Sequence, residues 1–203
     1  MPHEFKLQEL LKANSDVDPF LIKKWERIFT LFFDRNSSHE IDWSDFYLCL
    51  KKVREIYGAE SVQTSYARKT MEALWKGLQK LADSDADNLI TIDEWIGLLK
   101  KVDLKNRTEP QWFDDYCHFM FKLFDVSGDG VLDLAEYTDG MSVYGFEYNY
   151  CHKAFTKFAR DAKGNELHTI TPQQWEKYFL DLFFSTDKNA LGNHLFGEIN
   201  FDA

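Results

Sequence analysis

Cysteine is scarce in this chain of 203 residues, with only Cys49, Cys117 and Cys151. An odd, widely spaced set excludes a disulfide-stapled scaffold and points to reduced thiols inside a cell. No apolar run approaches the length needed to cross a bilayer. The opening Met-Pro-His-Glu-Phe-Lys has no apolar stretch and no cleavage site of the kind a secretory leader carries. Pro2 stands where N-myristoylation needs glycine, and Asp202-Ala203 offers no prenylation cysteine. Basic charge is also short: 24 Lys and Arg stand against 34 Asp and Glu, a formal charge of -10. That balance disfavours nucleic acid and anionic membranes as partners. A glycine-rich phosphate loop followed by lysine is missing, so nucleotide binding has no support. These absences lead us to expect a soluble, cytoplasmic, monomeric protein without a transmembrane segment or lipid anchor.

Aromatic residues are abundant: 18 Phe, 9 Tyr and 6 Trp make up 16% of the chain. A chain of this size builds one sizeable domain or two closely packed halves. Its interior is expected to be broad and aromatic.

The acidic residues are patterned. Asp125, Ser127, Asp129, Asp133 and Glu136 occupy positions one, three, five, nine and twelve of a twelve-residue run. Gly130 at six permits the positive-φ turn that gathers their oxygens, and Val131 at seven offers its backbone carbonyl. This is an EF-hand calcium loop, an all-oxygen cage suited to a hard divalent ion. A second copy runs through Asp83, Asp85, Asp87, Leu89 and Glu94, with Asn88 at six, a residue that visits the left-handed region readily. A third lies upstream in Asp34, Asn36, Ser38, Glu40, Asp42 and Asp45, with His39 at six. Only Asp34, Asp42 and Asp45 are charged donors there, and aspartate replaces glutamate at twelve. The shorter Asp45 favours six-coordination and magnesium competition at this first loop. Three calcium ions would leave a net charge of about -4, so part of the acidity belongs to the binding sites.

Helical stripes flank every loop. Phe20, Trp25, Ile28, Phe29 and Phe32 precede the first, behind an Asp18 cap and a first-turn Pro19. Met71, Leu74, Trp75, Leu78 and Leu81 precede the second, and Trp112, Tyr116, Phe119 and Leu123 the third. A fourth unit enters on Tyr148, Cys151, Phe155 and Phe158 and exits on Trp175, Tyr178, Phe179 and Leu182. Its loop has no cage in either register: aligning the helices puts Ala159 at position one, whereas counting back from Ile170 puts Lys163 there and Gln174 at twelve. Thr171 to Gln174 reads as a capping box. Loops pair through a short antiparallel bridge near position eight, so Ile41 should meet Ile90, and Leu132 should meet Ile170. The expected organisation is all-α: an arm over 1–17, hands 1 and 2 over 18–102, hands 3 and 4 over 109–185, and a tail over 186–203. That tail carries Leu191, Leu195, Phe196, Ile199 and Phe201 and is expected to fold back onto the core. Adjacent helical residues point about 100° apart, so Cys117-His118 and Cys151-His152 make poor zinc clamps.

Four hands, long inter-hand segments, Asp45 at position twelve and an empty fourth loop resemble the invertebrate sarcoplasmic calcium-binding proteins. Gly192-Asn-His-Leu-Phe-Gly197 and Trp43-Ser-Asp45-Phe46 are similar to the calexcitin branch of that family. The resemblance spans essentially the whole chain. It implies a compact helical, non-enzymatic protein of neurons or muscle, binding calcium at hands 1 to 3. It further implies either calcium signalling through a target protein or channel, or plain calcium and magnesium buffering. Only Met71, Met120 and Met141 lie inside the chain, too few for the methionine-rich groove of a calmodulin-type sensor. Coelenterazine photoproteins share four hands around an aromatic cavity, but in that family the second hand degenerates rather than the fourth.

Overall fold

The computed structural model describes residues 2–106 and 108–197. After α1 (Pro2–Ala13), hand 1 enters on α2 (Pro19–Ile28) and a π-helical turn (Phe29–Phe33), then exits on α3 (Trp43–Tyr57). Hand 2 uses α4 (Val62–Ala82) and α5 (Ile92–Lys100). Hand 3 uses α6 (Gln111–Phe124) and α7 (Leu134–Val143), and hand 4 uses α8 (Tyr148–Phe158) and α9 (Pro172–Phe184). Two-residue strands join the hands in pairs. β1 (Glu40–Ile41) runs antiparallel to β2 (Ile90–Thr91), with Ile41 opposite Ile90. β3 (Leu132–Asp133) runs antiparallel to β4 (Thr169–Ile170), with Leu132 opposite Ile170. The fold is four EF-hand units in two pairs.

Local chemistry fixes the helix starts. The Asp18 carboxylate accepts the Phe20 N–H at 2.8 Å ahead of Pro19, whose missing N–H costs nothing in a first turn. Each exiting helix opens with a capping box: Asp42 with Asp45, Thr91 with Glu94, Asp133 with Glu136, and Thr171 with Gln174. The apolar stripes then point inward. Phe20, Trp25, Ile28, Phe29 and Phe32 are buried, as are Trp112, Tyr116, Phe119 and Leu123. Leu81 departs from its stripe and is 39% exposed. It is the last but one residue of α4, and its neighbour Ala82 takes the buried position instead.

The halves meet in one aromatic core. Phe33 from hand 1 packs against Trp112 and Tyr116 of hand 3, and Trp95 of hand 2 lies edge-on to Phe183 of hand 4. Each of four indoles donates to a backbone carbonyl: Trp25 to Phe183, Trp95 to Trp25, Trp112 to Leu74, and Trp175 to Cys117. These bonds let large polar-tipped rings be buried without an orphan N–H. The cysteines are free and buried in the same core, and burial pushes the Cys49 thiol up to about 12 and Cys151 to about 11.

Beyond α9 the chain turns back through a 3₁₀ turn (Leu191–His194) and buries Leu195 and Phe196. A Cβ on Gly192 would collide with the Tyr178 carbonyl, so glycine is what lets the turn approach α9. Lys24 of α2 is fully buried beneath it. Its Nζ donates to the carbonyls of Asp181 (2.7 Å) and Ser185 (2.9 Å) and to Asn193 Oδ1 (2.9 Å). Burial lowers the Lys24 ammonium to about 7, against the opposing pull of Asp181 and Asp18. Ile199 and Phe201 lie outside the described residues.

Candidate metal centres

Loops 1, 2 and 3 share one hydrogen-bond frame. In each, the carboxylate at position one accepts the amide of position six: His39 to Asp34 at 2.9 Å, Asn88 to Asp83 at 3.0 Å, and Gly130 to Asp125 at 3.1 Å. The position-six residues hold φ of +70°, +71° and +83°. Position four is left-handed as well, at Ser37, Ala86 and Gly128, a demand that the sequence signalled only in the third loop, where glycine stands. The amides of Glu40, Leu89 and Val131 at position seven each turn back on the side chain at position five, Ser38, Asp87 and Asp129.

Position twelve closes the frame. One oxygen of Asp45, Glu94 and Glu136 accepts the amide of position nine: Asp42 at 2.9 Å, Thr91 at 3.0 Å and Asp133 at 3.3 Å. The second oxygen separates the loops. In loops 1 and 3 it accepts the position-three amide, Asn36 to Asp45 at 3.0 Å and Ser127 to Glu136 at 2.9 Å. In loop 2 it accepts both the N–H and the hydroxyl of Ser84 at position two, at 2.8 Å each. The carboxylate groupings follow from this. Oxygens of Asp125, Asp129 and Glu136 lie within 4.8 Å of one another, whereas in loop 2 the group consists of Asp83, Asp85 and Asp87, with Glu94 tied aside to Ser84. Partial burial works against the charge on Glu94, but the bonds from Thr91 and Ser84 outweigh it and hold the carboxyl at about 2.

The donors present suit a hard cation. Asp83 Oδ1 is buried and has no hydrogen-bond partner, a costly arrangement that a bound cation relieves. In loop 1 the carboxylates of Asp34 and Asp45 are themselves buried. Burial pushes the Asp45 carboxyl above its usual range, opposed by the amides of Asp42 and Asn36. Asn36 and Ser38 are engaged locally: the Asn36 amide donates to Ser44 Oγ, and Ser38 Oγ donates to the Glu40 carbonyl, each at 2.8 Å. Loop 1 is therefore the least charged of the three.

Loop 4 is closed on itself. The four residues by which it exceeds a standard loop form a turn in which Asp161 accepts the amides of Lys163 and Asn165 and the Asn165 side-chain N–H. The Arg160 guanidinium donates to the Gly164 carbonyl and to Glu166, so a protein cation sits among the loop oxygens. Neither Ala159 nor Lys163 therefore stands as the first residue of a cage, because the extra residues make a turn of their own before the strand begins.

Four helix–loop–helix units paired by short ladders, three of them with oxygen-rich loops, define the class as a four-hand EF-hand protein. No protein-family model matches the chain. It is similar to the amphioxus sarcoplasmic calcium-binding protein structure, with a TM-score of 0.71 at 22% identity over 91% of this chain and all of that one. The photoprotein clytin shares the fold at a TM-score of 0.63 and 20% identity, over 89% of this chain and 94% of that one. Calexcitin-1 of Caenorhabditis elegans is 64% identical over 195 residues, covering 96% of this chain and 95% of that protein. The chain belongs to the calexcitin family. Among the described residues no helix is long and apolar enough to cross a membrane.

Proposed function

We propose that this protein binds calcium reversibly and without catalysis at loops 1, 2 and 3, in calcium signalling or buffering within the cytoplasm. The observation that carries this reading is the unpartnered, buried Asp83 Oδ1 beside Asp85 and Asp87. Calcium, when bound, supplies the positive charge that these converging carboxylates lack. The chain's part is to present Asp34, Asn36, Ser38 and Asp45, then Asp83, Asp85, Asp87 and Glu94, then Asp125, Ser127, Asp129 and Glu136, with the carbonyls of Glu40, Leu89 and Val131. In loop 2, Glu94 must release Ser84 to join its neighbours, and α5 moves with it. Hand 4 serves as the structural partner of hand 3. The working unit is a monomer of two hand pairs, 18–102 and 109–185, followed by a tail from residue 186. Magnesium competes at loop 1, where Asp45 is short and the donors are mostly neutral.

Calorimetric titration tests this. Three ions per chain are expected, with Glu94→Gln and Glu136→Gln each removing one. Millimolar magnesium should weaken the loop 1 step more than the others. No bound ion at micromolar free calcium would sink the reading. One void where hands 1, 2 and 3 meet, lined by Phe32, Phe33, Asp45, Phe46, Cys49, Met71 and Tyr116, measures about 10 Å³, room for at most one water. That junction has no room for coelenterazine, which supports calcium binding without a chromophore, as does the self-closed fourth loop. Phe196 lies against Phe32 where a sensor would open a groove, which favours buffering or a signalling role that requires the tail to move.

A further inference from the structure

The helix entering hand 1 ends unlike those entering hands 2 and 3. α4 and α6 stay α-helical up to their loops, but α2 widens into the π-turn Phe29–Phe33, in which the Asp34 amide reaches back five residues to the Phe29 carbonyl at 2.8 Å. Asp34 is the first donor of loop 1, so the width of this turn sets where that donor stands. A π-turn and an ordinary α-turn are two discrete arrangements of the same segment.

Hand 3 and the tail grip the π-turn. Phe32 is sandwiched between two rings, Tyr144 at 4.0 Å and 16° and Phe196 at 4.0 Å and 10°. Tyr144 caps the C-terminal end of α7, and its hydroxyl pairs with that of Tyr116 on α6 at 3.1 Å. Phe196 is tied to the same helix, because Tyr137 of α7 donates to the Leu195 carbonyl at 2.8 Å. Next in sequence, Gly145 lies so close to Arg35, the second residue of loop 1, that a Cβ there would fall 2.7 Å from its Nη2. Both faces of Phe32 are therefore held by α7, directly through Tyr144 and indirectly through the tail. The far end of α7 carries Glu136, the twelfth position of loop 3, about 12 Å away along a rigid helix.

We propose that α7 couples loop 3 to loop 1. An ion in loop 3 fixes Glu136, which already faces Asp125 and Asp129, and with it α7; Tyr144 and Phe196 then hold the π-turn that places Asp34, so a filled third loop strengthens the first. Tyr144 is a positioning residue in this scheme, acting on loop 1 through Phe32. The inference rests on the reading that loops 1 and 3 bind calcium. Coupling of this kind is usually worth at least about fivefold in affinity, and it acts equally in both directions.

The amides of His39, Asn88 and Gly130 each bond to their own loop's first carboxylate. They report the three loops separately in ¹H–¹⁵N spectra during a calcium titration. In Glu136→Gln, the His39 midpoint should move to at least about fivefold higher calcium, with a smaller shift at Asn88. Tyr144→Leu should reduce that displacement to under about twofold, while Tyr144→Phe, which keeps the stacked ring, should preserve it. Reciprocally, Asp45→Asn should move the Gly130 midpoint by the same factor, a measurement that alters no aromatic residue. A His39 midpoint unmoved by Glu136→Gln, or displaced no more than that of Asn88, overturns the coupling and leaves the three-loop reading intact. A His39 amide that never responds in the unaltered protein overturns both.

Discussion

Hands 3 and 4 are joined by one ladder and open their exiting helices with the same capping box, yet only one of them gathers carboxylates. In hand 3, Asp125 spends its oxygens on loop amides in a way that leaves Asp129 and Glu136 facing it. In hand 4, Asp161 is used up by Lys163 and Asn165, and Arg160 supplies the positive charge from within. The helix–loop–helix shape is thus specified by caps, a ladder residue and aromatic stripes. The cage is a separate layer of information at positions one, three and five. A unit can lose the second layer and keep the first.

The largest effect expected from breaking this contrast is on binding. Glu136→Gln should weaken its loop by more than about tenfold, or about 1.4 kcal/mol, whereas Gln174→Glu should add no ion at all. A fourth ion in Gln174→Glu, seen by calorimetry, would break the distinction between the two hands. Next comes the structural layer. Ile170 is fully buried against hand 3, so Ile170→Ala should cost about 2–5 kcal/mol in urea unfolding with ion stoichiometry unchanged.

The role of α9 in holding hand 1 is read through Lys24. Its ammonium is lowered by burial from 10.5 to about 7. Between those values the unfolded chain carries a proton that the folded chain lacks, so stability rises with pH across the window, by up to about 1.4 kcal/mol per unit. Lys24→Met should flatten that rise. Parallel pH profiles of unfolding free energy in the two proteins would remove the account. The smallest effects belong to the self-closed loop: Thr171→Ala should cost about 1 kcal/mol through its lost cap, and Arg160→Ala less than about 1 kcal/mol because its partner Glu166 is exposed. Neither should change the number of ions bound, and a loss of one ion in either variant would mean that loop 4 contributes donors.

The loops and their pairing were legible in the sequence because both are local. Fixed offsets place Asp34, Asp83 and Asp125 against their own position-six amides, and β-branched or leucine residues at position eight mark the ladders. Aromatic stripes showed which helix faces were buried. Three features were not legible, each for a tertiary reason. The π-turn at Phe29–Phe33 carries no composition signal, and the rings stacked on its Phe32, Tyr144 and Phe196, come from distant segments. The diversion of Glu94 to Ser84 depends on a single hydroxyl that the loop pattern treats as neutral. Lys24 sits among apolar residues of an amphipathic helix, where a lysine ordinarily reads as surface, and its three acceptors lie 157 to 169 residues downstream.

That separation bears on how the protein is made. Synthesis releases α2 with a cation on its inner face and Phe32 bare on both sides; Tyr144 follows with hand 3, but Asn193 and Phe196 leave the ribosome only after hand 4. The amino-terminal pair therefore gains its last contacts to Lys24 and Phe32 only once residues 193 and 196 have emerged. A chain cut ahead of Asn193 would leave Lys24 without one of its three acceptors and Phe32 without one of its two stacked rings.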